Sequence, residues 1–90
     1  MRRIVQQSRF RRDYKLQKRR GKDIKKLKAV VLELAEYGIL DILHRPHKLT
    51  GEWNGFWECH IEPNWLLIYD VNGDEVLLAR TGTHSDLFGK

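Results

Sequence analysis

Several features are scarce in this sequence, and each scarcity excludes a class of protein. The 90 residues include one cysteine, Cys59, so the chain cannot form an internal disulfide or a cysteine-based metal cluster. The longest apolar stretches, residues 65–69 and 76–79, are far shorter than the roughly 20 residues that cross a bilayer. No apolar segment follows the basic start, which argues against a signal peptide. We therefore expect no secreted, membrane-spanning or disulfide-rich protein, and a cytoplasmic location.

The remaining composition is typical of one small globular domain. At 90 residues and 10.7 kDa, the chain is near the lower limit for independent folding and has no room for a second core. Hydrophobic residues make up 41% and charged residues 32%, which fits a folded chain better than a disordered one. We expect a single domain over residues 1–90.

The net charge of +5 is distributed very unevenly. Residues 1–28 contain thirteen Lys or Arg and two acids, Asp13 and Asp23, so this segment carries +11 and the remainder −6. A basic block of this density attracts polyanions, and contact with phosphates would make the binding steeply salt-dependent. The charge predicts contact with nucleic acid or the ribosome. The alternative is a solvated helix face that keeps the protein in solution.

The first half of the sequence predicts a strand and two helices. Residues 2–6 are partly β-branched and fit an edge strand. Ser8 offers an N-cap hydroxyl for a basic helix that ends at Gly21. Asp23 caps a second helix, in which apolar residues recur every three or four positions until Gly38. The two form a helical hairpin with one apolar and one basic side.

The second half predicts an antiparallel meander, because the apolar pattern beyond residue 50 alternates. Asn54-Gly55 is typical of a type I′ hairpin turn. Strands are expected over residues 56–61, 65–71 and 75–81, with three-residue turns between them and a helical turn over 85–88. The expected fold class is α+β, with the helical hairpin packed against a sheet of four or five strands.

The residues best suited to acid–base chemistry lie from residue 44 onward, where all four histidines are found: His44, His47, His60 and His84. Histidine accepts and donates protons near neutral pH. With three-residue turns, His60 lies opposite Leu66, and Leu66 opposite Arg80. His60 and Arg80 would then share one sheet face, about 10 Å apart. His84, four residues after Arg80, can fold back over that end of the sheet.

Other functions of these residues remain open. The histidines could bind zinc, but no H-E-x-x-H or Cys/His spacing is present, so we expect no metal site. Arg80 lies in an apolar strand and needs either a bound phosphate or a carboxylate such as Glu58.

The cysteine and two of the tryptophans could each lie in the core or belong to the functional site. Cys59 points away from the face of His60, so we expect a buried apolar residue there rather than a nucleophile. Trp57 shares its parity with Cys59 and is expected in the core. For Trp65, burial and stacking on a nucleobase both remain open.

Several segments together resemble a known family. Residues 60–69 are His-Ile-Glu-Pro-Asn-Trp-Leu-Leu-Ile-Tyr, and residues 80–88 are Arg-Thr-Gly-Thr-His-Ser-Asp-Leu-Phe. With His-Lys-Leu-Thr-Gly at 47–51 and Phe-x-x-Asp-Tyr-Lys at 10–15, they closely resemble the YafQ family of bacterial toxins, in the RelE/ParE superfamily. The resemblance covers nearly the whole chain and implies a RelE-like fold.

The resemblance also implies a function. It indicates the toxin of a type II toxin–antitoxin system, a ribosome-dependent mRNA endoribonuclease that inhibits translation. The implied partners are a cognate antitoxin, the ribosome and mRNA, with operator DNA bound only through the antitoxin complex, and no membrane or cofactor. Two alternatives remain: a non-catalytic RNA- or ribosome-binding module, and a gyrase-directed relative, although such relatives tend to lack the histidine set.

The site residues implied by the resemblance are His47, His60, Trp65, Arg80, His84 and Phe88. One position departs from the family, which commonly has an aspartate where this chain has Asn64. An amide forms hydrogen bonds but cannot act as a base. Asn64, Trp65 and Phe88 are expected to bind or orient the substrate.

The implied mechanism is metal-independent cleavage by the RNA's own 2′-hydroxyl. In it, His60 acts as the general base and His84 as the general acid, with His47 in support. Arg80 stabilises the charge of the transition state.

Overall fold

The computed structural model describes residues 1–89 and contains one five-stranded sheet. The strands are β1 (Arg3–Gln6), β2 (His47–Lys48), β3 (Trp57–Glu62), β4 (Trp65–Val71) and β5 (Glu75–Gly82). They lie in the order β1–β5–β4–β3–β2, with β1 parallel to β5 and all other neighbours antiparallel. The predicted α+β class, edge strand and consecutive meander are confirmed.

Three helices accompany the sheet: α1 (Ser8–Arg19), α2 (Ile24–Tyr37) and α3 (His84–Phe88). Asp23 caps α2 as predicted, because its side chain accepts from the Lys25 backbone N–H at 3.1 Å. Gly38 ends α2 in the left-handed region with φ +75°. None of the helices in residues 1–89 is long and apolar enough to cross a membrane.

The predicted cap of α1 was wrong by one residue. Gln7 occupies the N-cap position, and Ser8 is the first helical residue. The reason is that the Gln7 N–H donates to the Leu78 carbonyl at 3.0 Å, which holds the chain on β5 until the helix begins.

The sheet is covered on both faces. On one face, apolar residues of α1 and α2 pack against β3, β4 and β5 in the main core, which includes Phe10, Leu27, Leu34, Cys59, Trp65 and Leu67. On the other, α3 and residues 49–56 cover a smaller cluster that includes Leu66, Ile68, Ala79 and Leu87. Cys59 is fully buried and Trp57 packs partly buried against the main core, as predicted. Burial raises the pKa of the Cys59 thiol, so it remains protonated.

The segment before β3 differs from the sequence-based prediction. It contains β2 and two short 3₁₀ turns, Ile42–His44 and Gly51–Trp53. Asn54 (φ −53°, ψ 131°) and Gly55 (φ +95°) form a type II turn, not type I′. The I′ prediction failed because β2 and β3 are joined by an eight-residue loop, residues 49–56, rather than by a two-residue hairpin.

Of the two predicted strand pairings, that of His60 is confirmed and that of Arg80 is wrong. His60 pairs with Leu66, through a two-residue turn and a bulge at the end of β3 rather than a three-residue turn. Arg80 pairs with Ile68, not with Leu66, because four residues rather than three separate the paired positions Val71 and Val76, and a second bulge between Ile68 and Tyr69 shifts β5 by one residue more.

Candidate active site

His60 and His84 lie side by side at one end of the sheet. His60 belongs to β3, and His84 is the first residue of α3, which follows β5. The centroids of the two rings are 6.0 Å apart. The structure thus brings together the two residues that the sequence analysis assigns to base and acid.

Both rings are held through Nδ1 by the turn between β3 and β4. His60 Nδ1 lies 3.3 Å from the Pro63 carbonyl oxygen, and His84 Nδ1 lies 2.6 Å from Asn64 Oδ1. A carbonyl oxygen accepts but does not donate, so we assign the Nδ1–H tautomer to both neutral rings. The lone pair is then on Nε2, the atom that can take up a proton.

Asn64 also accepts a hydrogen bond from the backbone N–H of His84, at 3.1 Å. One side-chain oxygen therefore positions both the start of α3 and its first ring. Because the amide carries no charge, it orients His84 without the electrostatic effect of an aspartate.

His47 lies on the same face of the sheet but makes different contacts. It pairs with Glu58 across β2 and β3, and its Nε2 is 3.4 Å from Glu58 Oε1. Its Nδ1 lies 3.2 Å from the Arg45 carbonyl oxygen. Both ring nitrogens face acceptors, and only an imidazolium donates to both. His47 thus differs from His60 and His84, whose rings are held through Nδ1 by the turn between β3 and β4.

Arg80 binds a carboxylate, but the partner is Asp13 and not Glu58. Arg80 Nε and Nη2 lie 2.6 and 3.2 Å from the two Asp13 oxygens, and the two side chains are 12% and 13% exposed. Asp13 also accepts from the Thr81 backbone N–H at 3.1 Å. The pair therefore attaches the end of β5 to α1. The sequence feature that could have identified this partner is that Asp13 is the single acid in α1.

Trp65 is placed differently from its expected substrate contact. It is fully buried, and its indole N–H donates to Thr81 Oγ1 at 3.0 Å. In this structure it has no free face on which a base can stack, and it packs in the main core instead. Phe88, at the end of α3, is 40% exposed and available for contact.

Asp86 secures α3, a role that the sequence analysis missed. Its side chain accepts from the Thr83 N–H at 2.9 Å, and the Thr83 hydroxyl accepts from the Asp86 N–H at 3.1 Å, a capping box. Arg20, the residue directly after α1, reaches the same carboxylate at 2.6 and 3.1 Å. These contacts matter because a five-residue helix is not stable alone.

Space for this carboxylate depends on Gly82. A β-carbon at position 82 would lie 2.8 Å from an oxygen of Asp86.

Among residues 1–89, no group of three or more His, Cys, Asp or Glu side chains is arranged to hold a metal ion. The absence of a metal from the mechanism stays a prediction.

Comparison with known proteins identifies the family. A family model described as "Bacterial toxin of type II toxin-antitoxin system, YafQ" matches residues 2–89. The mRNA interferase toxin YafQ of Escherichia coli strain K12 is 38% identical over 81 residues, covering 89% of this chain and 88% of that protein.

Solved structures agree. The crystal structure of YafQ from E. coli strain BL21(DE3) has a TM-score of 0.92 at 36% identity, covering 99% of this chain and 100% of that one. The match in the crystal structure of the E. coli DinJ-YafQ complex has a TM-score of 0.89 at 37% identity, covering 99% and 100%. The chain therefore belongs to the YafQ family of bacterial toxins of type II toxin–antitoxin systems.

Proposed function

We propose that this chain is a ribosome-dependent endoribonuclease that cleaves mRNA and so inhibits translation. The observation that carries the proposal is the His60–His84 pair, whose ring centroids are 6.0 Å apart with both Nε2 atoms available. Two imidazoles this close can act on the two sides of one phosphodiester. The E. coli relative named as an mRNA interferase supports the same activity.

In the proposed mechanism, His60 Nε2 removes the proton from a 2′-hydroxyl, whose oxygen attacks the adjacent phosphorus. His84, protonated at Nε2, gives that proton to the departing 5′-oxygen. The hydrogen bond from its Nδ1 to Asn64 keeps the ring oriented while the proton moves. The products are a 2′,3′-cyclic phosphate and a 5′-hydroxyl, and no metal ion takes part.

Two cationic groups are proposed to stabilise the developing negative charge. His47 is proposed for this because it pairs with Glu58 of β3 and so lies on the face of the sheet that carries His60. Asp13 engages Nε and Nη2 of Arg80, so Nη1 is the atom through which Arg80 would contact the phosphate. Phe88 is proposed to orient a base by stacking.

The partners follow from charge and from the relatives. The basic residues of α1 and α2 are proposed to dock on ribosomal RNA, and the proposed location is therefore the cytoplasm, where ribosomes are. The DinJ-YafQ complex supports a protein antitoxin as a partner of this chain. We propose that operator DNA is bound through that complex.

The test is cleavage of a defined mRNA on purified ribosomes. We expect products with a 2′,3′-cyclic or 3′-phosphate and a 5′-hydroxyl, and His84→Ala and His60→Ala should each lower the rate about 10²–10⁴-fold. Both variants should keep the wild-type circular dichroism spectrum, since His84 is exposed and His60 half-buried. Products with a 5′-phosphate would contradict the mechanism.

Two further results would contradict the activity itself. Ribosome binding without cleavage would identify a non-catalytic module. Inhibition of gyrase without cleavage would identify a gyrase-directed toxin.

A further inference from the structure

Arg45 has an unusual backbone conformation. Its φ of +52° and ψ of 49° lie in the left-handed region, and among residues 1–89 it is the single non-glycine residue with positive φ. The β-carbon makes this region unfavourable, and glycine or asparagine usually occupies it. Side chains kept in such conformations cluster at functional sites. The conformation therefore raises the question of what the arginine does.

The position of Arg45 connects it to two histidines of the site. Its carbonyl oxygen lies 3.2 Å from His47 Nδ1. Its neighbour His44 contacts the His60 carbonyl oxygen through Nδ1 at 3.3 Å. The left-handed turn at Arg45 thus lies between the segments that hold His47 and His60.

A groove of about 260 Å³ opens at this point, lined by Leu43, His44, Arg45, His60, Glu62 and Pro63. One part of its wall is cationic, because it is formed by the exposed Arg45. Another part is apolar, because it is formed by Leu43, a residue that is 82% exposed. A phosphate and the sugar or base attached to it present the matching surfaces. The groove is continuous with His60.

The charge of Arg45 is not neutralised within the described part of the chain. No carboxylate of residues 1–89 lies within 4.0 Å of its guanidinium. The acid in the groove, Glu62, pairs with Lys26 at 2.9 Å. Arg80 differs, because Asp13 binds two of its nitrogens. Arg45 is therefore the more accessible phosphate ligand.

We propose that Arg45 and this groove form a subsite for a backbone phosphate of single-stranded RNA next to the scissile bond. The guanidinium binds the phosphate, and Leu43 contacts the attached nucleoside. The inference rests on the proposed function and names a binding residue for it. It also gives a reason for an arginine at a position where glycine would be less strained.

The decisive variant is Arg45→Gly, which removes the cation and relieves the backbone strain. Arg45→Lys keeps the charge. Lys48→Ala is the matched control, since it removes one positive charge nearby, from a side chain that lies over the Trp57 ring. The ligand is a fluorescent 2′-O-methyl RNA oligonucleotide, which cannot be cleaved, titrated at several salt concentrations.

We expect Arg45→Gly to weaken binding about tenfold and to reduce the slope of log affinity against log salt by about 0.7. Its Tm should equal or exceed that of the wild type, which a merely structural role would not allow. Arg45→Lys and Lys48→Ala should each stay closer to wild-type affinity. Unchanged affinity and slope in Arg45→Gly would overturn the inference, as would affinity lost together with Tm.

Cleavage of mRNA on ribosomes distinguishes a failure of this inference from a failure of the proposed function. If the wild type cleaves and Arg45→Gly cleaves with the same kcat/KM, the subsite is wrong and the nuclease stands. If the wild type does not cleave but Arg45→Gly still loses RNA affinity and salt slope, the subsite stands and the nuclease does not.

Discussion

Arg20 and Asp86 form a two-pronged ion pair, with nitrogen–oxygen distances of 2.6 and 3.1 Å, between the C-cap of the basic helix α1 and the short helix that begins with His84. Gln17, one turn earlier in α1, donates to the same carboxylate at 3.3 Å. The helix proposed to dock on the ribosome is therefore in direct contact with the helix that carries the proposed general acid.

Breaking this pair should impair cleavage more than folding. Arg20→Ala should change stability little, because Arg20 is 39% exposed and exposed pairs contribute little. Cleavage by Arg20→Ala should still fall several-fold, since α3 loses a contact that orients His84. Kinetics with a defined mRNA and chemical unfolding measure the two effects.

The control is a double-mutant cycle with Asp86→Asn. If the ion pair is responsible, Arg20→Ala should have a smaller effect on kcat in the Asp86→Asn background than in the wild type. Fully additive effects would mean that Arg20 acts elsewhere, for example on ribosomal RNA.

Asp86 should also make stability depend on acid pH. The Arg20 guanidinium holds the pKa of this carboxyl well below its usual range. A carboxylate with a lowered folded pKa stabilises the protein above its unfolded pKa, about 3.9, and the stabilisation is lost as the pH falls toward the folded value. Asp86→Asn should therefore lower the Tm at neutral pH and reduce its decline in acid. Parallel curves for both proteins would contradict this.

Arg80→Ala should lower stability as well as activity. Asp13 is 13% exposed, and without the guanidinium this carboxylate loses its charged partner, at a cost of about 2 kcal/mol. The variant with both residues replaced by alanine should be less destabilised than expected from the single changes. If Arg80→Ala abolishes cleavage but unfolds like the wild type, the guanidinium acts on the substrate alone.

Asn64→Asp tests the position at which this chain departs from its family. A carboxylate that accepts from His84 Nδ1 would stabilise the imidazolium. The limb of the pH–rate profile that reports His84 should then move to higher pH. If Asn64 acts only as a turn residue, where Asp is nearly equivalent, the profile should not move and only stability should change slightly.

The sequence predicts the parts of the fold that depend on local signals. Asp23 and Gly38 mark the ends of α2 through capping chemistry within one turn of the helix. The bounds of β4, Trp65–Val71, are predicted by a continuous apolar run over residues 65–69 with turn residues on both sides, as is typical of a strand buried on both faces. The family motif then predicts which histidines meet.

Interactions between distant residues were beyond this reasoning. The bulge opposite Ile68 changes the partner of Arg80 without a local sequence signal. Asp13 and Arg80 are 67 positions apart, so their pairing depends on how α1 crosses the edge of β5. The burial of Trp65 likewise depends on Thr81, on a neighbouring strand.

The turn formed by Pro63 and Asn64 supplies the acceptors for both His60 and His84. Most surface turns tolerate a change of length, because no functional side chain is positioned by them. Here the spacing of the two proposed proton-transfer groups is set by a connection of two residues. On the proposed function, a one-residue insertion there would keep every catalytic residue in the chain but would move the acceptors that hold the two rings, and so disable the enzyme. Turn length should therefore be as constrained among active relatives as the histidines themselves.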